Sequence, residues 1–90
     1  MLAQSRKPLV SGDAVRKLLI AELAAILLID ESQIDTSKPF DEYGLDSTDA
    51  IVIVGTIEVQ TQMELEPELL IQNRTIEDVI KSLKQAGKTE

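Results

Sequence analysis

The chain has no cysteine, no histidine and no tryptophan among its 90 residues, and Phe40 and Tyr43 are its whole aromatic complement. Without cysteine there is no disulfide framework and no thiolate nucleophile, and nothing requires an oxidising compartment. Without histidine a Ser-His triad is excluded, and with both residue types missing the usual zinc ligands are gone as well. Two aromatic residues are poor material for a substrate cleft, so paired carboxylates for hydrolysis have no evident place to work. Long apolar runs are also missing. Glu22 and then Asp30 interrupt the longest one, which therefore falls short of the ~20 residues of a membrane-spanning helix. A secretory signal would lie closer to Met1. The expectation is a cytoplasmic protein with no membrane span.

What is present suits one small domain, since 43% of the residues are apolar and a chain of this size supports a single core with little margin. The net charge of −7 is unevenly spread. Residues 1–39 hold five acids and five bases, residues 40–90 hold eleven acids and four bases, and no Lys or Arg lies between Pro39 and Asn73. Such a surface repels nucleic-acid phosphates, so no nucleic-acid partner is expected, and it steers toward basic patches on other proteins. Asp41, Glu42, Asp46 and Asp49 crowd together, but their spacing fits no EF-hand loop and no metal site is assigned.

Along the chain, residues 1–10 show no sustained period and are expected to be a flexible segment. Ser11-Gly12-Asp13 reads as a helix start, and Val15, Leu19, Leu23, Ile26 and Leu27 follow at helical spacing, which predicts a first helix from there to Leu28. From Ile29 to Leu45 the period is lost, and Ile29, Ile34, Phe40 and Leu45 recur as apolar points able to pin a long ordered loop. Residues 47–63 carry the β-branched run Ile51-Val52-Ile53-Val54, Thr56, Ile57, Val59 and Thr61, which propensity alone assigns to a strand. Some seventeen residues without a turn signal exceed the ~5 to 6 of a strand. Ile53, Val54, Ile57 and Thr61 share one helical face, so a second helix is predicted despite Gly55, which costs about 1 kcal/mol relative to Ala. Pro67 suits the first position of a short third helix reaching Ile71. Thr75 and Asp78 form a capping-box-like start for a fourth, whose stripe is Ile76, Val79, Ile80 and Leu83 and whose stop is Gly87. Residues 86–90 are expected to trail as a flexible tail. The fold class is all-α.

One stretch stands out against this background. In Pro39-Phe40-Asp41-Glu42-Tyr43-Gly44-Leu45-Asp46-Ser47-Thr48-Asp49 a turn hands over to the second helix, with Gly44 able to take a positive φ and Asp46 or Ser47 available as N-cap. The Ser47 hydroxyl is thereby placed at a helix start, where unpaired N–H groups and the macrodipole favour a phosphate.

Gly44-Leu45-Asp46-Ser47 resembles the prosthetic-group site of the acyl and peptidyl carrier proteins, whose signature is a glycine, an apolar residue, Asp-Ser and usually Leu. The run Ile29-Asp30-Glu31-Ser32-Gln33-Ile34-Asp35 followed by Lys38-Pro39-Phe40 resembles the loop that precedes this serine in modular polyketide synthases. The spacing from Leu65 and Leu69 through Thr75-Ile76 to Leu83 is also similar, with Arg74 where polyketide members commonly have proline. The resemblance implies a four-helix carrier bundle over residues 11–85. It further implies 4′-phosphopantetheine, donated by coenzyme A through a separate transferase, on Ser47, with Asp46, Gly44 and Leu45 around it. Such a chain is no enzyme. It tethers acyl or polyketide intermediates as thioesters, which raises their effective concentration at each partner's active site.

The face of the second helix bearing Thr48, Asp49, Val52, Gly55, Glu58 and Val59 is, on the same resemblance, the one that meets acyltransferase and ketosynthase-type enzymes and the transferase. It is small and apolar here, which implies recognition by shape as much as by charge. Thr48 departs from the usual leucine and offers about 1 kcal/mol less apolar burial, which implies slower modification by a general-purpose transferase. A monomer is expected. The alternatives are a peptidyl carrier of a nonribosomal peptide pathway and an unmodified helical interaction module in which Ser47 is merely an N-cap.

Overall fold

The computed structural model describes residues 10–90; the flexible segment expected at the N-terminus lies outside them, apart from Val10. Four α-helices follow in order, α1 (Gly12–Leu27), α2 (Ser47–Thr61), α3 (Leu69–Gln72) and α4 (Ile76–Gln85), with 3-10 turns at Glu31–Gln33 and Phe40–Tyr43 in the long connection before α2. The all-α expectation therefore holds.

Each long helix begins on a side-chain cap. Ser11 accepts the Ala14 N–H at 3.0 Å, Asp46 accepts the Asp49 N–H at 2.8 Å and Thr75 accepts the Asp78 N–H at 3.0 Å, each satisfying a donor that the helix itself leaves unpaired. Behind the caps the apolar stripes converge. Val15, Leu19 and Leu23 of α1 meet Ile53, Val54 and Ile57 of α2 and Ile76, Val79, Ile80 and Leu83 of α4 in one buried core. Ile26 and Leu27 are only partly buried at its edge.

The β-branched run is helical because burial outweighs propensity. Ile53, Val54 and Ile57 are at most 2% exposed, and the Thr56 and Thr61 hydroxyls return to the carbonyls of Val52 and Ile57 at 3.1 and 2.6 Å, satisfied within the helix. The helix ends at Thr61, two residues before Met63, where Gln62 turns left-handed with φ 59°.

Three expectations are corrected. Ile29 does not pin the loop: it is exposed, beside a left-handed Leu28 that is 90% exposed. Phe40 is buried and Ile34 and Leu45 pack on the core, but polar ties do much of the ordering. The Tyr43 hydroxyl accepts the Asp35 N–H at 2.7 Å and donates to the Asp35 carbonyl at 2.9 Å. The Phe40 N–H donates to the Arg74 carbonyl at 2.8 Å and the Glu77 N–H to the Thr36 carbonyl at 3.1 Å. The short helix starts at Leu69, not Pro67, because the Leu69 N–H turns back to the Glu66 carbonyl before α-helical bonding begins.

The third correction concerns the C-terminus. At Gly87, with φ 74°, the Lys88 N–H reaches the Leu83 carbonyl at 2.9 Å and the Gly87 N–H the Lys84 carbonyl at 3.0 Å, a Schellman reversal. Residues 86–90 accordingly do not trail away. Thr89 is buried and bridges to Val10, and the Lys88 ammonium donates to the Glu64 carbonyl at 2.7 Å. Helices α1 and α4 are further joined by a two-pronged pair, Arg16 Nε and Nη2 to the Glu77 carboxylate at 2.8 and 3.0 Å.

Candidate functional site

The 3-10 turn Phe40–Tyr43 ends on Gly44, whose φ of 78° and ψ of 17° lie in the left-handed region. A Cβ there would touch nothing within 4 Å, so the backbone angle rather than crowding calls for glycine. This reversal swings Leu45 against the core and delivers Asp46 to the N-cap of α2. Ser47 is then the first residue of the helix, exposed, and its hydroxyl takes part in no hydrogen bond among the described residues. Of the two capping candidates, Asp46 does the capping. The serine is left without that structural task.

Ser47 stands on the rim of a cleft of about 260 Å³. Phe40, Leu45, Ala50, Leu70 and Ile71 make its apolar wall, so the loop, the start of α2 and the short α3 all contribute. Asp41, Asp46 and Arg74 share the rim with the serine. The backbone bond from Phe40 to Arg74 ties the loop side of this cleft to the α3–α4 junction. Two ingredients for a tethered group therefore sit together: an exposed hydroxyl at a helix start, where the first amides have no intrahelical partner, and an apolar recess beside it.

The residues expected on the partner face divide. Thr48, Val52 and Val59 are exposed, the last two at 55% and 79%, and Asp49 and Gly55 are half-buried. Glu58 is different, because its Oε2 accepts the Leu65 N–H at 2.8 Å, so the carboxylate latches α2 to the following segment instead of standing free. Sequence reasoning missed two residues. Ile51 is 47% exposed, and its place four residues after Ser47, on the same side of the helix, was the available signal. Arg74 lines the cleft, and its signal was charge: it is the sole base between Pro39 and Ile80.

Among the described residues no helix is long and apolar enough to cross a membrane. A search of the curated proteins finds no significant match. Solved structures do match. A free-standing peptidyl carrier protein from an uncharacterised secondary metabolic pathway of Acinetobacter baumannii is 29% identical, with a TM-score of 0.75 over 84% of this chain and 95% of that one. The A1-type ACP domain from module 5 of MLSA1 is 22% identical, with a TM-score of 0.72 over 88% of this chain and 78% of that one. The HMG-ACPI domain from the CurA module of Lyngbya majuscula is also 22% identical, with a TM-score of 0.72 over 96% and 86% of the two chains. The last two likenesses speak for the fold alone. The family described as the phosphopantetheine attachment site matches residues 17–83, the greater part of the chain, from within α1 to Leu83, the last core residue of α4. Carrier domains of this family hold 4′-phosphopantetheine covalently and pass their cargo between enzymes without catalysing its chemistry, and this chain belongs to the phosphopantetheine attachment site family.

Proposed function

We propose that Ser47 is the attachment point and that the chain is an acyl carrier serving polyketide, fatty acid or related specialised lipid assembly. The observation that carries this reading is the division of labour at the start of α2. Asp46 supplies the cap, which leaves the Ser47 hydroxyl exposed and uncommitted beside an apolar cleft. The residues fit the group: the amides of Ser47 and Thr48 are the unpaired donors of a helix start, suited to a phosphodiester on the serine. Asp46, Gly44 and Leu45 hold that hydroxyl in place. When bound, the arm supplies a terminal thiol for thioester carriage. The wall of Phe40, Leu45, Ala50, Leu70 and Ile71 is a shelter for an apolar cargo.

Docking enzymes, the transferase first among them, meet the exposed side of α2 through Thr48, Ile51, Val52 and Val59, with Asp49 at the edge. Intact mass after incubation with coenzyme A and a broad-specificity phosphopantetheinyl transferase tests the attachment. Wild type is expected to gain one phosphopantetheinyl group, and Ser47→Ala, folded, none. An equal gain in both would remove Ser47 from its role.

A peptidyl carrier is the second reading, favoured by the 29% identity to a free-standing peptidyl carrier. Loading decides between them. An acyl carrier is charged by an acyltransferase with an acyl-coenzyme A, and a peptidyl carrier by an adenylating enzyme with an amino acid and ATP.

A further inference from the structure

Arg74 lines the cleft beside Ser47, in company with two carboxylates, Asp41 and Asp46. Its main chain is fixed there independently of its side chain, because its carbonyl accepts the Phe40 N–H at 2.8 Å. The contrast with Arg16 is instructive. The Arg16 guanidinium is spent on Glu77 and Asp13, whereas that of Arg74 makes no ion pair and no hydrogen bond among the described residues. An unspent guanidinium is a planar fork of donors matched to the oxygens of a phosphate or carboxylate. No other base lines this cleft, and the chain around it is acidic. A phosphodiester on Ser47 adds one more negative charge beside Asp41 and Asp46, so Arg74 is its available counter-charge in the cleft.

We propose that Arg74 is the anion-binding residue of this cleft and holds the phosphodiester of the arm. The proposal rests on attachment at Ser47. Its consequence is that the root of the arm is held along the wall of Leu70 and Ile71 rather than projecting freely from the start of α2.

The test uses holo protein with an unacylated thiol, so that the phosphodiester is the arm's one anion, in wild type, Arg74→Gln and Arg74→Lys. Intact mass is read first, so a failure of the attachment reading appears as a missing mass gain and not as a result about the arginine. The Arg74 Nε–H resonance is expected to move between apo and holo protein while that of Arg16 stays. The phosphorus resonance is expected to move on Arg74→Gln and only partly on Arg74→Lys. Both differences should shrink at least twofold as NaCl rises from about 0.05 to about 0.5 M, because an exposed pair is screened. A loaded protein whose Arg74 resonance is unmoved, or whose phosphorus resonance is the same in wild type and Arg74→Gln, overturns the proposal.

Discussion

Replacing Asp46 separates the structural role of that residue from its charge. Its carboxylate accepts the Asp49 N–H at 2.8 Å, and exchange of an N-cap for alanine costs about 1 kcal/mol. Helix α2 has little reserve against this loss, because nine of its 15 residues are β-branched and one is glycine, all poor helix formers. An acidic group at a helix start adds about 0.5 kcal/mol. Asp46→Ala is therefore expected to destabilise by about 1.5 kcal/mol, and Asp46→Asn, which keeps an accepting oxygen and loses the charge, by about 0.5 kcal/mol. For a domain of this size those losses correspond to Tm decreases of roughly 6 to 12 °C and 2 to 4 °C. Thermal and urea denaturation followed by far-UV circular dichroism at neutral pH measures both. If the two variants fall equally, the hydrogen bond is not what Asp46 contributes. If alanine is as stable as wild type, Asp46 is not the cap, and the argument that Ser47 is released from capping collapses with it.

The glycines offer a paired test by urea midpoint. A Cβ on Gly55 meets nothing within 4 Å, so Gly55→Ala should stabilise by about 0.5 to 1 kcal/mol. A Cβ on Gly12 would lie 2.9 Å from Lys84 Cε and 3.1 Å from the buried Ile80 Cγ2, so Gly12→Ala should lose about 1 kcal/mol; a gain there would contradict the close packing of α1 on α4. Acid should act through Glu77. Its carboxyl is held below its ordinary 4.5 chiefly by hydrogen bonding from Arg16, with Thr36 adding to it. The stabilisation is thus complete above 4.5 and is lost as pH falls through the lowered value. Glu77→Gln should cost about 0.5 to 1 kcal/mol at neutral pH, with the gap to wild type closing in acid; a gap that persists in strong acid would show that the pair contributes by packing alone.

Much of the architecture was legible without coordinates, for reasons that are local. Ser11 and Thr75 cap through bonds within one turn, Gly44 and Gly87 supply backbone angles other residues resist, and the stripes Val15-Leu19-Leu23 and Ile76-Val79-Ile80-Leu83 repeat at the helical period. The placement of Ser47 at the head of α2 is equally local, set by Gly44 three residues before it and by the cap beside it.

What needed the tertiary structure was every decision taken between distant segments. A β-branched stretch became α2 because Ile53, Val54 and Ile57 had α1 and α3 to bury against, which no property of the stretch itself records. Residues 86–90 turned inward because Val10 and Glu64 were there to receive Thr89 and Lys88. Glu58 looked like a free charge on a docking face and proved to hold Leu65. Arg74 looked like a substitution for proline and came to rest beside the serine, because Phe40 fastens the loop to its carbonyl. Periodicity, caps and turns are written in neighbouring residues; the company that a side chain keeps across the fold is set by how the helices pack.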